Sequence, residues 1–411
     1  MNSPVRQSSA GAPAARVIAF YLPQFHPIPE NDKWWGTGFT EWTNVAKAKP
    51  LFPGHIQPRL PADLGFYDLR VPEVRERQAE LATAAGVESF CYWHYWFGNG
   101  RRILERPFEE VLASGKPDFP FCLAWANQTW SGIWHGATDR ILVEQLYPGA
   151  ADREAHFNWA RKAFEDPRYS KVDGKPIFVI YTPHDLPSSA EFVDHWRELA
   201  EKAGYPGLYM VGVGHPYWTP QENRYQREVL APFDAVTLLG PTDYLGRHDK
   251  RTRLRRAWKE HNLGRHLNRF RPPGWVRPTR IDFQDVVTHA FDDMPEGERF
   301  LPSVLAGWDN TPRSGTRGLV YEHFTPELLK AYVEKAIDRL SNHGPSKKII
   351  FLKAWNEWAE GNVLEPDALY GHQLLDATRA ALWSPGGAAA STSSEKTPFV
   401  ADYSSTPEVT A

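Results

Sequence analysis

The chain has 411 residues, of which 47 are basic and 50 acidic, so its formal net charge is only −3. This balance excludes the broad positive field with which nucleic-acid-binding and anionic-membrane-binding proteins attract their partners. One local exception is the basic run Arg251-Thr-Arg-Leu-Arg-Arg256. We interpret it as a solvated helix face, with a phosphate or partner contact as the alternative.

No segment approaches the roughly 20 apolar residues that span a bilayer. The first residues also lack the apolar core of a secretory signal, so we expect a cytoplasmic protein with no integral membrane segment. The two cysteines, Cys91 and Cys122, each lie within an apolar run. We expect them to be buried free thiols rather than part of a disulfide framework.

Composition divides the chain into one domain and two tails. Residues 1–15 and 385–411 are rich in small and polar residues, which predicts disordered tails. The intervening residues 16–384 are expected to form a single catalytic domain.

Within this domain, short apolar runs alternate with segments of helical periodicity. The predicted strands are Val17–Leu22, Val87–Trp93, Pro120–Trp125, Pro176–Tyr181, Leu208–Val213, Ala235–Leu239, Phe300–Ala306 and Lys348–Ala354. The predicted helices include Pro72–Ala85, Ala151–Glu165, Ala190–Ala203, Thr325–Ser341 and Leu369–Leu382. Near-continuous apolar strands are typical of a parallel sheet covered on both faces.

Eight β/α units in one chain predict an α/β fold, a single (β/α)8 TIM barrel with long βα loops. A doubly wound open sheet is the alternative. That fold is less consistent with the sequence, because no Gly-x-Gly-x-x-Gly follows the first strand and no Gly-Lys-Ser/Thr phosphate loop occurs.

Polar and aromatic residues cluster directly after the predicted strands. In a TIM barrel these positions form the catalytic face. Aromatic rings interleaved with polar side chains suit the binding of a sugar. The candidate binding residues are His26, Trp35, Glu41, Trp42, Tyr92, Trp93, His94, Tyr95, Trp125, Asn127, Trp130, His215, Trp308, Asp309, Asn310, Trp355, Asn356 and Trp358.

Two carboxylates, Glu357 and Glu360, stand among tryptophans after the last predicted strand. Residues three apart lie on one side of a turning backbone, and Asn356 and Gly361 favour a turn. Carboxyl groups about 5–5.5 Å apart suit retaining glycoside chemistry, whereas about 6.5–9.5 Å suits inversion. The spacing favours the shorter distance and makes these residues the candidate catalytic pair. A helix-capping carboxylate pair is the alternative.

Three histidines, His26, His94 and His215, follow predicted strands, so a metal site must be considered. Their spacing is not that of His-Glu-x-x-His, and no Cys-x-x-Cys occurs. We therefore expect no metal and no cofactor. Asp309 and Glu41 are either further acids or structural hydrogen-bond acceptors.

Several motifs together resemble a known family. They are Ala19-Phe-Tyr-Leu-Pro-Gln-Phe-His26, Trp35-Gly-x-Gly-Phe-Thr-Glu-Trp42, Tyr92-Trp-His-Tyr-Trp96, Trp308-Asp-Asn-Thr311 and Trp355-Asn-Glu-Trp-Ala-Glu-Gly361. Across residues 16 to 382 the chain resembles the WbsX-like proteins, which are labelled glycosyltransferases and are related to glycoside hydrolase family 99, the endo-α-mannosidases.

The resemblance implies roles for the two glutamates. Glu357 would deprotonate the 2-hydroxyl of the substrate, so that O2 attacks the anomeric carbon and forms a 1,2-anhydro sugar. Glu360 would protonate the leaving oxygen and then activate water or an acceptor. An acid in a dry pocket is expected to have a raised pKa, while its partner stays ionised. Ala359 stands where the endo-mannosidases have histidine, so a different leaving-group side is expected.

Three functions remain open from the sequence. The first is a retaining glycoside hydrolase or transglycosylase acting on a bacterial surface polysaccharide of O-antigen or capsule type. The second is a glycosyltransferase in lipopolysaccharide synthesis that uses an activated sugar donor, although no Asp-x-Asp motif is evident. The third is an inactive carbohydrate-binding protein. The expected partner is an oligo- or polysaccharide and not nucleic acid, and the sequence predicts no oligomeric state.

Overall fold

The computed structural model describes residues 11–131, 141–214, 227–239 and 277–384. His215, the basic run 251–256 and most of the predicted tails lie outside these ranges. Residues 11–15, which belong to the predicted N-terminal tail, contact the end of the last helix. There the backbone N–H of Ala14 donates to the carbonyl of Leu382 at 2.9 Å.

Eight parallel strands form the centre of the molecule. They are β1 (Arg16–Tyr21), β2 (Val87–His94), β3 (Phe121–Trp125), β4 (Lys175–Ile180), β5 (Tyr209–Gly214), β6 (Ala235–Leu238), β7 (Ser303–Leu305) and β8 (Ile349–Lys353). Each corresponds to one of the predicted strands.

The strand order makes this sheet a barrel. It runs β7-β8-β1-β2-β3-β4-β5-β6. A parallel bridge between Val236 of β6 and Phe300, just before β7, joins the two edges. The backbone N–H of Val236 donates to Arg299 at 2.8 Å across this junction. The predicted TIM barrel is therefore confirmed.

The strands are buried almost throughout because side chains fill the barrel on one face and pack under helices on the other. Cys91 of β2 and Cys122 of β3 are register neighbours in this core, and both are buried free thiols as expected.

The helices lie between the strands. Their bounds are α1 (Pro29–Trp35), α2 (Glu41–Lys47), α3 (Pro72–Ala85), α4 (Arg106–Ser114), α5 (Ala150–Phe164), α6 (Ser189–Lys202), α7 (Phe283–His289), α8 (Thr311–Ser314), α9 (Pro326–Arg339) and α10 (Gln373–Leu382). Among the described residues, none of the helices has the length and apolar character needed to cross a bilayer.

Local signals explain several helix boundaries. Helix α9 begins where the hydroxyl of Thr325 accepts from the backbone N–H of Leu328, with Pro326 at the first helical position. Helix α10 begins four residues later than the predicted Leu369. The reason is that the carboxylate of Asp367 accepts from the backbone N–H groups of Leu369 and Tyr370 and holds them in a turn.

Candidate active site

The loop after β8 brings Glu357 and Glu360 together. Asn356 and Glu357 pair with Asn362 and Val363 as a two-residue antiparallel ribbon, and residues 358–360 form one 3-10 turn between them. The carboxyl groups of Glu357 and Glu360 consequently lie side by side and share the ammonium of Lys353, at 3.0 and 3.1 Å. The turn predicted from their spacing is confirmed.

Gly361 allows the β8 loop to pack against the loop after β7. Its φ of +57° lies in the left-handed region, and a Cβ atom there would come within 2.9 Å of the backbone nitrogen of Asp309. In the actual structure that nitrogen donates to the carbonyl of Glu360 at 2.6 Å. Any side chain at position 361 would break this contact.

Asp309 organises the neighbouring loop. Its carboxylate accepts from the backbone N–H and the hydroxyl of Thr311 at 3.0 and 2.6 Å, and from the side chains of His55 and Gln57 at 2.7 and 2.6 Å. These bonds hold the short helix α8, which begins at Thr311 and carries Arg313 towards the carboxylate pair. Asp309 is thus a structural acceptor, one of the two roles expected for it.

Charged side chains of alternating sign cross the site. Lys353, the last residue of β8, donates to Glu357 at 3.0 Å and to Glu360 at 3.1 Å. Arg313 donates from Nη1 to Glu360 at 2.7 Å and from Nε to Glu41 at 3.1 Å. The order of charges is therefore Glu41, Arg313, Glu360, Lys353, Glu357, and each cation lies between two carboxyl groups.

Neutral groups complete this arrangement. The indole N–H of Trp93 donates to Glu357 at 2.9 Å, and the Lys353 ammonium lies 4.6 Å from the ring centroid of Trp308. The carbonyl of Gln24, in the loop after β1, accepts from the backbone N–H of Glu41 at 3.0 Å and so fixes the start of α2.

A cavity of about 180 Å³ opens onto the carboxylates. Aromatic rings form much of its wall, and amide, hydroxyl and charged groups form the rest, which is the composition expected of a sugar site. It is lined by Leu22, Gln24, Trp35, Glu41, Trp93, Tyr95, Ala126, Gln128, Thr129, Trp130, Ser131, Leu142, Tyr181, Arg313, Lys353, Glu357 and Glu360.

The two carboxyls of the pair have unequal acidity. Burial raises the pKa of Glu357 above its ordinary value, although Lys353 opposes the shift. Burial also acts on Glu360, but Lys353 and Arg313 together lower its pKa below the ordinary value. The sequence-based expectation was the reverse, a raised pKa for the proposed acid Glu360. The direction of the shift differs from this expectation because Arg313 contacts Glu360 and not Glu357.

Glu41 is a third buried carboxyl at the cavity. Burial raises its pKa, while the ion pair with Arg313 and a hydrogen bond from the backbone N–H of Ala359 oppose the rise. Ala359 itself is fully buried and does not line the cavity. Its methyl group is therefore not part of the cavity wall, and the expected difference on the leaving-group side stays a prediction.

Seven of the sequence-predicted residues meet at the cavity. They are Trp35, Glu41, Trp93, Tyr95, Trp130, Glu357 and Glu360. Trp130 and Tyr95 meet edge to face with ring centroids 5.1 Å apart, and Trp93 meets Tyr181 at 5.1 Å in the same way.

Other predicted residues do not line the cavity but hold the loops of the site in place. The amide of Asn356 pairs with both backbone groups of Leu22, at 2.7 and 3.0 Å, and fastens the β8 loop to the end of β1. Asn310 accepts from the backbone N–H of Leu319 at 2.8 Å. The indole N–H groups of Trp358 and Trp42 donate to Glu365 and to the carbonyl of Tyr67, each at 2.7 Å.

The remaining predicted residues lie away from this cavity. Asn127 joins the β3 and β4 loops by donating to the carbonyl of Thr182 at 2.8 Å. His26 is buried against the carbonyl of Pro23 at 3.1 Å. Tyr92 and Trp355 are packed in the core, and His94 contacts His156 at 2.7 Å.

Trp125 lines a second cavity of about 240 Å³, between the loops that lead into α5 and α6. Its indole N–H donates to the carbonyl of Trp96 at 3.0 Å. Among the described residues, no three His, Cys, Asp or Glu side chains are grouped as metal ligands.

Sequence reasoning missed Lys353 and Arg313. Lys353 carried a usable signal, since a lysine that ends a continuous buried strand needs an anionic partner. Arg313 carried none, because its contact with Glu360 joins residues 47 positions apart.

Comparison with known proteins gives the family. The model of the family described as "Glycosyltransferase WbsX" matches residues 17–378. Two relatives from strains of Xanthomonas campestris pv. campestris, each described as uncharacterized protein WxcX, are 37% and 38% identical over 379 residues. The match covers 90% of this chain but 50% of theirs, so the chain spans about half the length of these relatives.

Solved structures support the fold. A structure described as a glycoside hydrolase-like protein has a TM-score of 0.57 at 15% identity and covers 93% of this chain and 97% of its own. A GH99 endo-alpha-mannosidase from Bacteroides thetaiotaomicron has a TM-score of 0.50 at 16% identity, with 90% and 96% covered. At such low identity this likeness shows a shared barrel. The family match spans most of the chain, and the chain therefore belongs to the WbsX glycosyltransferase family, as its motifs indicated.

Proposed function

We propose that this chain is a retaining glycoside hydrolase or transglycosylase that acts on an α-linked sugar of a bacterial surface polysaccharide. The observation that carries the proposal is the pair of buried carboxyls, Glu357 and Glu360, which share the ammonium of Lys353 at the end of β8 and line an aromatic-walled cavity. Because an oxygen of each carboxyl lies at 3.0 or 3.1 Å from the same ammonium nitrogen, these oxygens are at most about 6 Å apart, a separation that favours retention over inversion.

The reaction would use the 2-hydroxyl of the substrate as nucleophile. Glu357, as a carboxylate, takes the proton of the 2-hydroxyl while O2 forms a bond to the anomeric carbon. The bond to the leaving oxygen breaks, and Glu360 gives that oxygen its proton. In the second step Glu360 takes a proton from water or an acceptor hydroxyl, whose oxygen opens the 1,2-anhydro ring, and Glu357 returns its proton to O2.

Trp93 and Lys353 suit this role for Glu357. Both donate to its carboxylate, at 2.9 and 3.0 Å, and so fix its orientation towards the cavity. A buried carboxyl of raised pKa is also a stronger base than an exposed one, which favours removal of a weakly acidic sugar proton.

The test is a glycan panel assayed with wild type and with Glu357→Gln and Glu360→Gln. Both substitutions are expected to abolish most turnover of ordinary glycosides. On substrates with an acidic leaving group, such as aryl glycosides, Glu360→Gln should recover because protonation of the leaving oxygen is no longer needed, whereas Glu357→Gln should not. Recovery by Glu357→Gln instead would assign the acid to Glu357, and full turnover by both variants would remove the proposal.

A glycosyltransferase that uses an activated donor is the second candidate, because the family carries that name. Its donor diphosphate would need a cationic partner. Within the described part of the cavity, both cations, Arg313 and Lys353, are already paired with carboxylates. Calorimetric titration with nucleotide sugars and a divalent ion tests this candidate, and binding of any donor would favour it over hydrolysis.

A further inference from the structure

Arg313 contacts only one member of the carboxyl pair. Its Nη1 lies 2.7 Å from Glu360, and its other bonds go to Glu41. Lys353 differs, since its ammonium lies 3.0 Å from Glu357 and 3.1 Å from Glu360. A cation shared equally acts on both carboxyls, whereas a cation bound to one makes that one the stronger acid.

Among the groups around Glu360, Arg313 is the one that makes the two carboxyls differ in acidity. Within the described residues, the charged or titratable groups that face Glu360 come from five places. They are Lys353 of β8, Arg313 of α8, Glu41 of α2, Tyr95 in the loop after β2, and Glu357 in the same loop as Glu360. Glu41 and Glu357 are acidic, and an anionic neighbour disfavours ionisation of Glu360. Lys353 does not discriminate, so Arg313 is the group that favours a charge on Glu360 over one on Glu357.

We propose that Arg313 is a positioning residue that keeps Glu360 ionised and leaves the proton of the carboxyl pair on Glu357 before substrate binds. This statement about the protein before substrate binds stands on the contacts of Arg313. Its meaning for catalysis rests on the proposed function.

In the proposed reaction the proton must change sides before the sugar reacts. It leaves Glu357 and binds the adjacent carboxylate of Glu360, so the charge of the pair is unchanged. Glu357 is then the free base, and Glu360 is the acid. Without substrate the reaction cannot begin, because Glu360, the acid that it needs, is deprotonated.

Arg313 is placed so that a ligand can trigger this transfer. It lines the cavity, and 16% of its side chain is exposed, whereas its second partner Glu41 is 1% exposed. A sugar hydroxyl that accepts from Nη1 would replace Glu360 as its partner, while Glu41 continues to hold the guanidinium. Glu360 would then lose its strongest discriminating contact and take the proton.

The test follows the glutamate carboxyl carbons of the 13C-labelled, ligand-free protein by NMR as pH changes. Glu41→Gln, Glu357→Gln, Glu360→Gln and Glu365→Gln assign the signals of these four buried glutamates. Arg313→Gln is expected to raise the pKa of Glu360 by about 1–3 units and to leave Glu357 changed less. Arg313→Lys should restore much of the acidity of Glu360, because the cation is kept.

Two controls separate this effect from structural damage. Arg168→Gln removes a partly buried cation that pairs with Asp166 at the opposite end of the barrel, and it should move neither signal. Glu41→Gln removes the competing partner of Arg313 and should lower the pKa of Glu360. It therefore tests the same claim through a pKa shift in the opposite direction, and it serves if Arg313→Gln fails to fold.

An unchanged Glu360 titration in folded Arg313→Gln, or equal shifts of Glu357 and Glu360, would overturn the proposal. So would an unchanged Glu360 in Glu41→Gln. Because no substrate is present, these results are independent of whether the protein cleaves glycans. Failure of the proposed function would appear in the glycan panel and not in this titration.

Discussion

Glu357 and Glu365 are eight residues apart in the same loop region, and both are buried. Burial raises the pKa of each, and that of Glu365 reaches about 7. They differ in what surrounds them. Glu357 faces the cavity and accepts from the cation of Lys353 and from Trp93.

Glu365 has no access to the cavity in the described structure. Within the described residues, its carboxyl accepts hydrogen bonds from the neutral side chains of Tyr67, Gln78 and Trp358. The comparison shows that a raised pKa alone does not identify a catalytic acid, because desolvation acts on any enclosed carboxyl. Access to a cavity and an adjacent carboxyl partner distinguish Glu357.

The largest contrast is expected in turnover. Glu357→Gln should lower kcat/KM about 10²–10⁴-fold, because it removes the group that accepts the proton of the 2-hydroxyl. Glu365→Gln keeps the shape of a side chain that does not reach the cavity, so its turnover should stay close to that of wild type. Steady-state kinetics on a substrate from the glycan panel measures kcat/KM for both variants. Equal losses of kcat/KM would contradict the distinction between Glu357 and Glu365.

Stability should show the opposite order. Glu365→Ala leaves three buried donors without an acceptor and should lower the free energy of unfolding by about 3 kcal/mol. Glu357→Ala should cost less, because Lys353 keeps Glu360 as a partner and Trp93 borders the open cavity. Urea denaturation of both variants checks the order, and a larger loss for Glu357→Ala would contradict it.

The pH dependence of stability should also identify Glu365. Its pKa is about 7 when folded and 4.5 ordinarily, so between these pH values the folded protein binds more protons than the unfolded chain. Stability from this group is full below about pH 4.5 and is lost as pH rises towards 7, by up to about 1.4 kcal/mol per pH unit.

Glu365→Gln should remove this slope. The measurement is the difference in unfolding free energy between wild type and Glu365→Gln across pH 4.5 to 7, which cancels the titration of other groups. Glu360 contributes to stability with the opposite sign. Because its pKa is lowered in the folded protein, its contribution is full above its ordinary pKa and is lost as the pH falls below this window. A difference that does not change with pH would refute the enclosed-carboxyl account of Glu365.

The smallest effect is expected at the cavity wall. Trp130→Ala should weaken binding of a glycan fragment by about 1 kcal/mol, roughly fivefold, through loss of an aromatic contact. Trp125→Phe alters a ring that lines the other cavity and should leave this affinity unchanged. Calorimetry with one fragment compares the two, and equal losses would show that the binding cavity is wrongly placed.

The barrel was predictable because its strands are continuous apolar runs, a local signal that tertiary contacts reinforce. The carboxylate pair was predictable because Asn356 and Gly361 flank it and its members are three residues apart. Side-chain direction was harder to predict. Along the end of β2, Trp93 and Tyr95 line the cavity, whereas Tyr92 and His94, which alternate with them, point away from it. Sequence clustering had grouped all four.

Arg313 shows the other limit of prediction. Its place depends on Asp309, which holds α8, and on the close contact between the loops that Gly361 permits. Neither follows from local pattern. The acidity order of Glu357 and Glu360 depended on this one contact, and for that reason the sequence predicted it in reverse.

The stereochemistry of the product tests the central claim most directly. Proton NMR immediately after cleavage of a substrate identified in the glycan panel reports the anomeric configuration of the released sugar. The account predicts the same configuration as in the substrate, because O2 and then water each invert the anomeric carbon once. Release of the opposite anomer would contradict the paired-carboxyl mechanism.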